Sequence, residues 1–158
     1  KVSSLAEIRD TASRLDFAKL GINMAELGAF SVGTGPRQVT VFVDPKCPYC
    51  HAIIQQIPAL AGKYTFRILV VPVLGEESQR LTRMVSCAAD QAAAAQAVMT
   101  GYRDALPQQE PCNLLPIQKR LVTAQLVGVK GVPYLVAPDG RVKGGVPQDL
   151  DSWLEGRS

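Results

Sequence analysis

Val39-Thr40-Val41-Phe42-Val43-Asp44-Pro45-Lys46-Cys47-Pro48-Tyr49-Cys50 is the stretch on which the reading of this chain turns. Its first five residues are β-branched or aromatic, the composition of a buried central strand. Asp44-Pro45-Lys46 ends that run, and a Cys-x-x-Cys follows at once. Pro48 fits the first turn of a helix, where a missing N–H costs nothing. Ala52, Ile53, Ile54, Ile57, Leu60 and Ala61 then supply apolar helix positions, with a kink expected at Pro58. Residues 65–74 read as a second buried strand. A strand, helix, strand unit of this size requires a right-handed crossover and a parallel pair. The CxxC is therefore expected where a central strand hands over to a helix.

That position has a chemical purpose. A helix N-terminus offers unpaired N–H groups and the positive end of the helix dipole. Such a site, like the Cys-X-X-Cys context itself, lowers a thiol pKa from ~8.5 into the range of roughly 3.5–7.5. Cys47 is thus the expected nucleophile. Cys50, one turn further in, is the expected resolving thiol, more buried and less ionised. The competing use of a CxxC is half of a zinc site, which needs two further ligands. His51 is cramped against Cys50, and Cys87 and Cys112 form no second CxxC, so no metal is expected. His51 is read either as an electrostatic tuner of the thiols or as a solvent-facing helix residue, the latter being the commoner case.

Outward from this unit, Ser4 and Glu7 form a capping-box pattern, and Leu5, Ile8, Ala12 and Leu15 recur at helical spacing. A helix over residues 5–20, stopped at Gly21, is expected, followed by a short strand and a Gly-rich turn over residues 23–37. Residues 1–37 are thus read as a linker-like helix and entry strand ahead of a domain over residues 38–158. Residues 76–127 look almost wholly helical, with Leu81, Met84, Val85 and Ala88 on one face, and so form a helical insertion. Residues 132–137 and 141–143 flank Pro138-Asp139-Gly140 as a β-hairpin, and Asp149 or Asp151 can cap a last helix through Trp153 and Leu154. Pro133 at the start of the hairpin is either a trans proline, the commoner state, or a cis peptide facing the CxxC. The fold class is α/β.

Composition excludes several functions. The 158 residues suit one domain, and 47% hydrophobic with 20% charged residues is the balance of a folded globular chain. The net charge of +3 is scattered, with no basic block to serve a nucleic acid. Apolar runs such as residues 68–71, ended by Pro72, are far short of the ~20 residues of a membrane span. No leader pattern is visible after Lys1, so any export signal is expected outside this sequence. Cys87 and Cys112, a pair well separated from the CxxC, suggest a structural disulfide and hence an oxidising compartment. A second redox pair is the alternative use.

Val41 to His51 with its Cys-Pro-Tyr-Cys centre, an insertion carrying Cys87 and Cys112, and Gly128-Val129-Lys130-Gly131-Val132-Pro133 together resemble the catalytic domain of the bacterial DsbC/DsbG disulfide isomerases. The likeness runs over residues 39–154. It implies a thioredoxin-like fold with the helical insertion between the βαβ half and the C-terminal hairpin and helix. It also implies Cys47 as nucleophile, Cys50 as resolving thiol, Pro133 in cis beside them, and Cys87–Cys112 as a structural disulfide. No cofactor is implied. The implied setting is the periplasm, with misbridged or unfolded proteins as substrates and a DsbD-like membrane thiol reductase as electron donor. Dimerisation is expected only through an N-terminal domain outside this chain.

Pro48, Tyr49, His51 and Val132 are the expected tuning and substrate-contact residues, and an uncharged groove is expected near Tyr49, Val132 and Tyr134. Family isomerases commonly carry Thr before the cis proline, whereas Val132 resembles the DsbA-type oxidases. A glutaredoxin-like reductase is a further reading, since Cys-Pro-Tyr-Cys, Val132-Pro133 and Gly144-Gly145 with Asp149 resemble parts of a glutathione site. The non-catalytic reading is a thioredoxin-fold binding or chaperone module.

Overall fold

The computed structural model describes residues 14–157. Its strands are β1 (Phe30–Val32), β2 (Arg37–Val43), β3 (Tyr64–Val70), β4 (Tyr134–Val136) and β5 (Val142–Gly144). The helices are α1 (Pro48–Leu60), α2 (Glu76–Ser86), α3 (Gln91–Thr100), α4 (Leu115–Leu126) and α5 (Leu150–Leu154), with a single 3-10 turn at Met24–Glu26. The five strands form one sheet in the order β1-β3-β2-β4-β5. Only β2 and β3 run parallel, with Val41 opposite Ile68. β1 is antiparallel to β3, and β4 lies antiparallel between β2 and β5.

Alternation along the two central strands divides the core. Val39, Val41 and Val43 of β2, with Phe66, Ile68 and Val70 of β3, face α1, α2, α3 and α5. Phe42 and Leu69 point the other way, toward Ala124 of α4 and Leu27. These strands are covered on both faces, which is why they read as near-continuous apolar runs. The sheet is pinned to the start of β2 by close approach: a Cβ at Gly35 would overlap the Lys63–Tyr64 backbone, so only glycine fits there.

Several boundaries differ from expectation. Of the helix expected over residues 5–20, residues 5–13 lie outside the described part, and the remainder is not helical: residues 17–20 form turns. The Leu15 N–H is bonded to the Gly140 carbonyl of the hairpin turn, and the Asp16 carboxylate takes the Lys19 N–H. Those bonds divert the backbone from a helical ladder. Residues 101–114 interrupt the insertion because Gly101 (φ 99°) ends α3 and Pro107 and Pro111 cannot extend it. That loop lies back along residues 87–89 through bonds from Ala89 N–H to Pro107 O and from Gln109 N–H to Cys87 O. β3 stops at Val70, with Pro72 ending the ladder soon after, and β4 starts one residue after Pro133, which has no N–H to pair. Pro58 falls in the last turn of α1.

Candidate active site

β2 delivers the chain to the C-terminal end of the sheet, and a tight turn carries it into α1. The turn is closed by the Cys47 N–H bonding Asp44 O at 3.2 Å and by the Lys46 N–H bonding Asp44 Oδ1 at 2.7 Å. Cys47 is the N-cap of α1: its backbone is extended (φ −88°, ψ 116°), and its Sγ accepts the Cys50 N–H at 3.2 Å. Pro48 takes the first helical position. A thiol sulfur thus stands where Ser or Asp commonly caps a helix, at the positive end of the α1 dipole.

The two sulfurs sit in different surroundings. Cys50 is completely buried, and its Sγ accepts the Asp44 N–H at 3.5 Å. Burial pushes the Cys50 thiol far up, the hydrogen bond with Cys47 and the nearby Asp44 charge add to that, and the Asp44 N–H opposes it. Cys47 is 4% exposed and meets Val132 O at 3.7 Å. The Val132–Pro133 peptide is cis. Cys47, Cys50, Val132 and Pro133 are therefore gathered at one point, with Pro48 and Tyr49 on the solvent side and Tyr49 69% exposed.

Cys87 and Cys112 are bonded to each other (Cα–Cα 5.6 Å), away from this centre. His51 is half-buried, its Nε2 2.9 Å from Pro45 O in the turn before Cys47. The expected groove is also rearranged. The Tyr134 ring turns to the α4 side and packs edge-to-face on Phe42 at 6.2 Å, because alternation along β4 places it there. Besides Tyr49, the exposed apolar side chains near the turn are Val73 (48%) and Leu74 (53%), in the loop after β3. Asp149 caps α5 through the Ser152 N–H at 3.2 Å, which engages the carboxylate that the glutaredoxin-like reading leaves to a ligand. Among the described residues no cluster of three His, Cys, Asp or Glu side chains is placed to hold a metal ion.

Sequence reasoning assigned no role to Asp44, yet it organises the site. Only 1% exposed, its carboxylate accepts from Lys46 N–H (2.7 Å), Ser78 Oγ (2.6 Å), Val73 N–H (2.7 Å) and Leu74 N–H (3.0 Å). One side chain thereby ties the CxxC turn to the loop after β3 and to the first turn of α2. The available signal was an acidic residue set directly after a five-residue apolar strand, where a buried carboxylate must find donors.

Known proteins resemble this chain in sequence and in fold. Probable thiol:disulfide interchange protein DsbC of Bordetella parapertussis is 29% identical over 147 residues, covering 90% of this chain and 50% of its own length. Thiol:disulfide interchange protein DsbC of Dickeya dadantii is 34% identical over 122 residues, covering 74% and 50%. The chain spans about half the length of the curated relatives it matches. Among solved structures, a disulfide interchange protein from Neisseria gonorrhoeae superposes with a TM-score of 0.71 at 23% identity, over 86% of this chain and 98% of that one. The thiol-disulfide exchange protein alpha-DsbA2 of Wolbachia pipientis gives 0.68 at 16% identity over 98% of both chains. At those identities the structures speak for the fold, a mixed sheet with the CxxC at a helix start. The thioredoxin-like domain family matches residues 31–157, from within β1 to past α5, and the chain belongs to that family.

Proposed function

We propose that this chain is the catalytic part of a thiol:disulfide interchange protein that reduces and isomerises disulfides of misbridged or unfolded proteins. The observation that carries the reading is the asymmetry of the two sulfurs: Cys47 Sγ caps α1 and takes an N–H, while Cys50 is sealed in the core with its thiol pushed up. Cys47 as thiolate attacks one sulfur of a substrate disulfide, forming a mixed disulfide and releasing the other substrate sulfur as a thiolate. In isomerisation that thiolate, after re-pairing within the substrate, leads to expulsion of Cys47 unchanged. In reduction the Cys50 sulfur attacks Cys47, the proton of Cys50 is lost, and the substrate leaves as a thiol. The Cys47–Cys50 pair is then oxidised by two electrons and needs a dithiol donor, for which a DsbD-like membrane thiol reductase is the proposed partner.

Val132 O, 3.7 Å from Cys47 Sγ, and the adjoining Pro133 are proposed as the wall along which a substrate strand lies. Pro48 and Tyr49 face the incoming substrate. His51 acts through Pro45, holding the turn. The Cys87–Cys112 bond is proposed as a structural staple, and it suits an oxidising compartment such as the bacterial periplasm. No helix among the described residues is long and apolar enough to cross a membrane.

The test is a pair of variants challenged with a scrambled disulfide protein. Cys47→Ser is expected to abolish exchange, and Cys50→Ala to accumulate mixed disulfides through Cys47. Full activity of Cys47→Ser would overturn the assignment. Val132 supports a second direction, net oxidation: a potential near about −120 mV fits an oxidase or an isomerase kept reduced by a dedicated reductase, which refolding of a scrambled substrate then separates, and one near about −270 mV marks a thioredoxin-like reductant and overturns the isomerase reading.

A further inference from the structure

α2 and α4 leave a surface groove of about 290 Å³ between them, which Pro72, in the loop after β3, also lines. Its walls are apolar. Leu114, Ile117 and Leu121, at steps of three and four residues, form one stripe that begins at the N-cap of α4, and like Pro72 they are half-buried. Gln79, Arg83 and Gln118 are the exposed polar residues around it, and none of their side chains has a hydrogen bond or ion pair with another described residue. No acidic side chain lines the groove.

That pattern matches an extended polypeptide. An apolar side chain fits between the walls, the two amides offer both donors and acceptors to a neighbouring backbone, and the guanidinium adds donors for its carbonyls. A volume below the roughly 300–1,000 Å³ of a small-molecule site suits one side chain of a longer chain. The groove is also fixed relative to the thiol centre. Pro72 is followed by Val73 and Leu74, exposed apolar residues whose N–H groups bond the Asp44 carboxylate at 2.7 and 3.0 Å. Gln79 follows Ser78, whose Oγ donates to the same carboxylate at 2.6 Å. Asp44 in turn takes the Lys46 N–H in the turn that carries Cys47. An apolar track therefore leads from the loop tied to the CxxC turn, over Leu74 and Val73, to the groove at Pro72. The two helices are pinned to each other: the Cys87–Cys112 bond joins the residue after α2 to the segment leading into α4, and Ser86 Oγ accepts from Arg120 Nη2 at 2.8 Å. A groove whose walls are already held loses little freedom on being filled.

We infer that this groove is a side-chain subsite for the polypeptide substrates of the Cys47–Cys50 centre, taking an apolar residue a few positions from the substrate cysteine while Gln79, Gln118 and Arg83 bind the neighbouring backbone. The subsite rests on the interchange reading and sets which disulfides are favoured: those with an apolar residue at that spacing.

The test is reduction of peptide–glutathione mixed disulfides by the full chain, each turnover releasing the peptide thiol and glutathione, with dithiothreitol restoring the Cys47–Cys50 dithiol. The peptides share one length and one cysteine, and a single Leu is walked away from that cysteine through Ser and Gly residues. Burying one leucine side chain should lower KM about tenfold at the matching spacing, with kcat unchanged. Gln118→Trp, which fills the groove from an exposed position, and Ile117→Asn, which makes a wall polar, should each abolish that advantage. Equal KM for every peptide while glutathione disulfide is still reduced overturns the subsite alone, as does a leucine advantage that both variants keep. Failure to reduce any disulfide overturns the interchange reading beneath it. Self-association of the parent that Gln118→Trp removes, with no leucine preference, gives the groove to a second copy of the chain and likewise overturns the subsite.

Discussion

Replacing Asp44 with asparagine should be among the most damaging single-atom-scale changes available in this protein. The aspartate oxygens accept four hydrogen bonds, from Lys46 N–H, Val73 N–H, Leu74 N–H and Ser78 Oγ. An asparagine amide offers one oxygen able to take about two donors, and its NH2 group faces the others as a donor against donors. Two of the four bonds are therefore lost. Hydrogen bonds to a charged group contribute about 1.5–3 kcal/mol each, so the gross loss is roughly 3–6 kcal/mol. Removing a buried charge offsets part of it, leaving a net loss of about 3 kcal/mol, a large share of the ~5–15 kcal/mol of an ordinary domain. The same change removes the negative charge that helps hold the Cys50 thiol up, so closure of a Cys47 mixed disulfide by Cys50 should shift to lower pH. Urea unfolding by Trp153 fluorescence measures the first effect, and single-turnover closure across pH the second. Stability within about 0.5 kcal/mol of the parent, the usual range for an inconsequential surface change, would refute the account of Asp44 as the tether of the site.

Other perturbations separate the remaining parts of the structure. Joint Cys87→Ser and Cys112→Ser, opening a link across 25 residues of sequence, should cost about 3.5 kcal/mol in the chain-entropy model, read as a lower urea midpoint; a loss below about 1 kcal/mol would count against the staple. Glu155 is held at about 2, below its ordinary 4.5, chiefly by the Arg37 hydrogen bond and then by Tyr64. Its depressed folded-state value means that its contribution is complete above pH ~4.5 and disappears as pH falls through about 2. Glu155→Gln should therefore flatten the acid limb of the stability curve between those values, and an unchanged limb would remove the Arg37–Glu155–Tyr64 cluster from the explanation. Leu74→Ser together with Val73→Ser, exposed side chains on backbone tied to Asp44, should raise KM for an unfolded protein disulfide several-fold while leaving exchange with glutathione disulfide unchanged; equal effects on both substrates would show that the ridge acts through the thiols.

Legibility followed the kind of interaction involved. β2, α1 and β3 could be read because two-sided burial demands unbroken apolar strands, and because Pro48 next to a CxxC marks a helix start. Cys47 and Cys50 were legible for the same local reason. Asp44 was not, since its role depends on Val73, Leu74 and Ser78, about 30 residues away, and no local pattern announces which buried donors will converge on a carboxylate. Arg120 was hidden in the same way: a charged residue on α4 reads as surface until the packing of α4 beside Val70 and Leu27 closes over it. Tyr134 was misplaced because its distance from Pro133 in sequence is one residue, and one residue along a strand is the difference between the two faces of a sheet.

The division of labour between the sulfurs follows from one turn of helix. Two residues separate Cys47 from Cys50, which puts both sulfurs on the same side of α1 while moving the second one inward by a turn. The outer sulfur accepts the Cys50 N–H at the helix start, and the inner one lies in the closed core cluster that also holds Val39, Val41 and Ile53. Spacing alone thus leaves one thiol at the helix start and makes the other reluctant to ionise. The surroundings then widen the gap: Asp44 donates only its backbone N–H to Cys50, while directing its carboxylate to the loop after β3 and to α2. Any change that solvates Cys50 should hasten resolution and shorten the life of the mixed disulfide, and with it the time a substrate has to re-pair its own thiols. The proposed isomerisation depends on that interval, so on this proposal the tightness of the core behind α1 bears on activity as directly as Cys47 does.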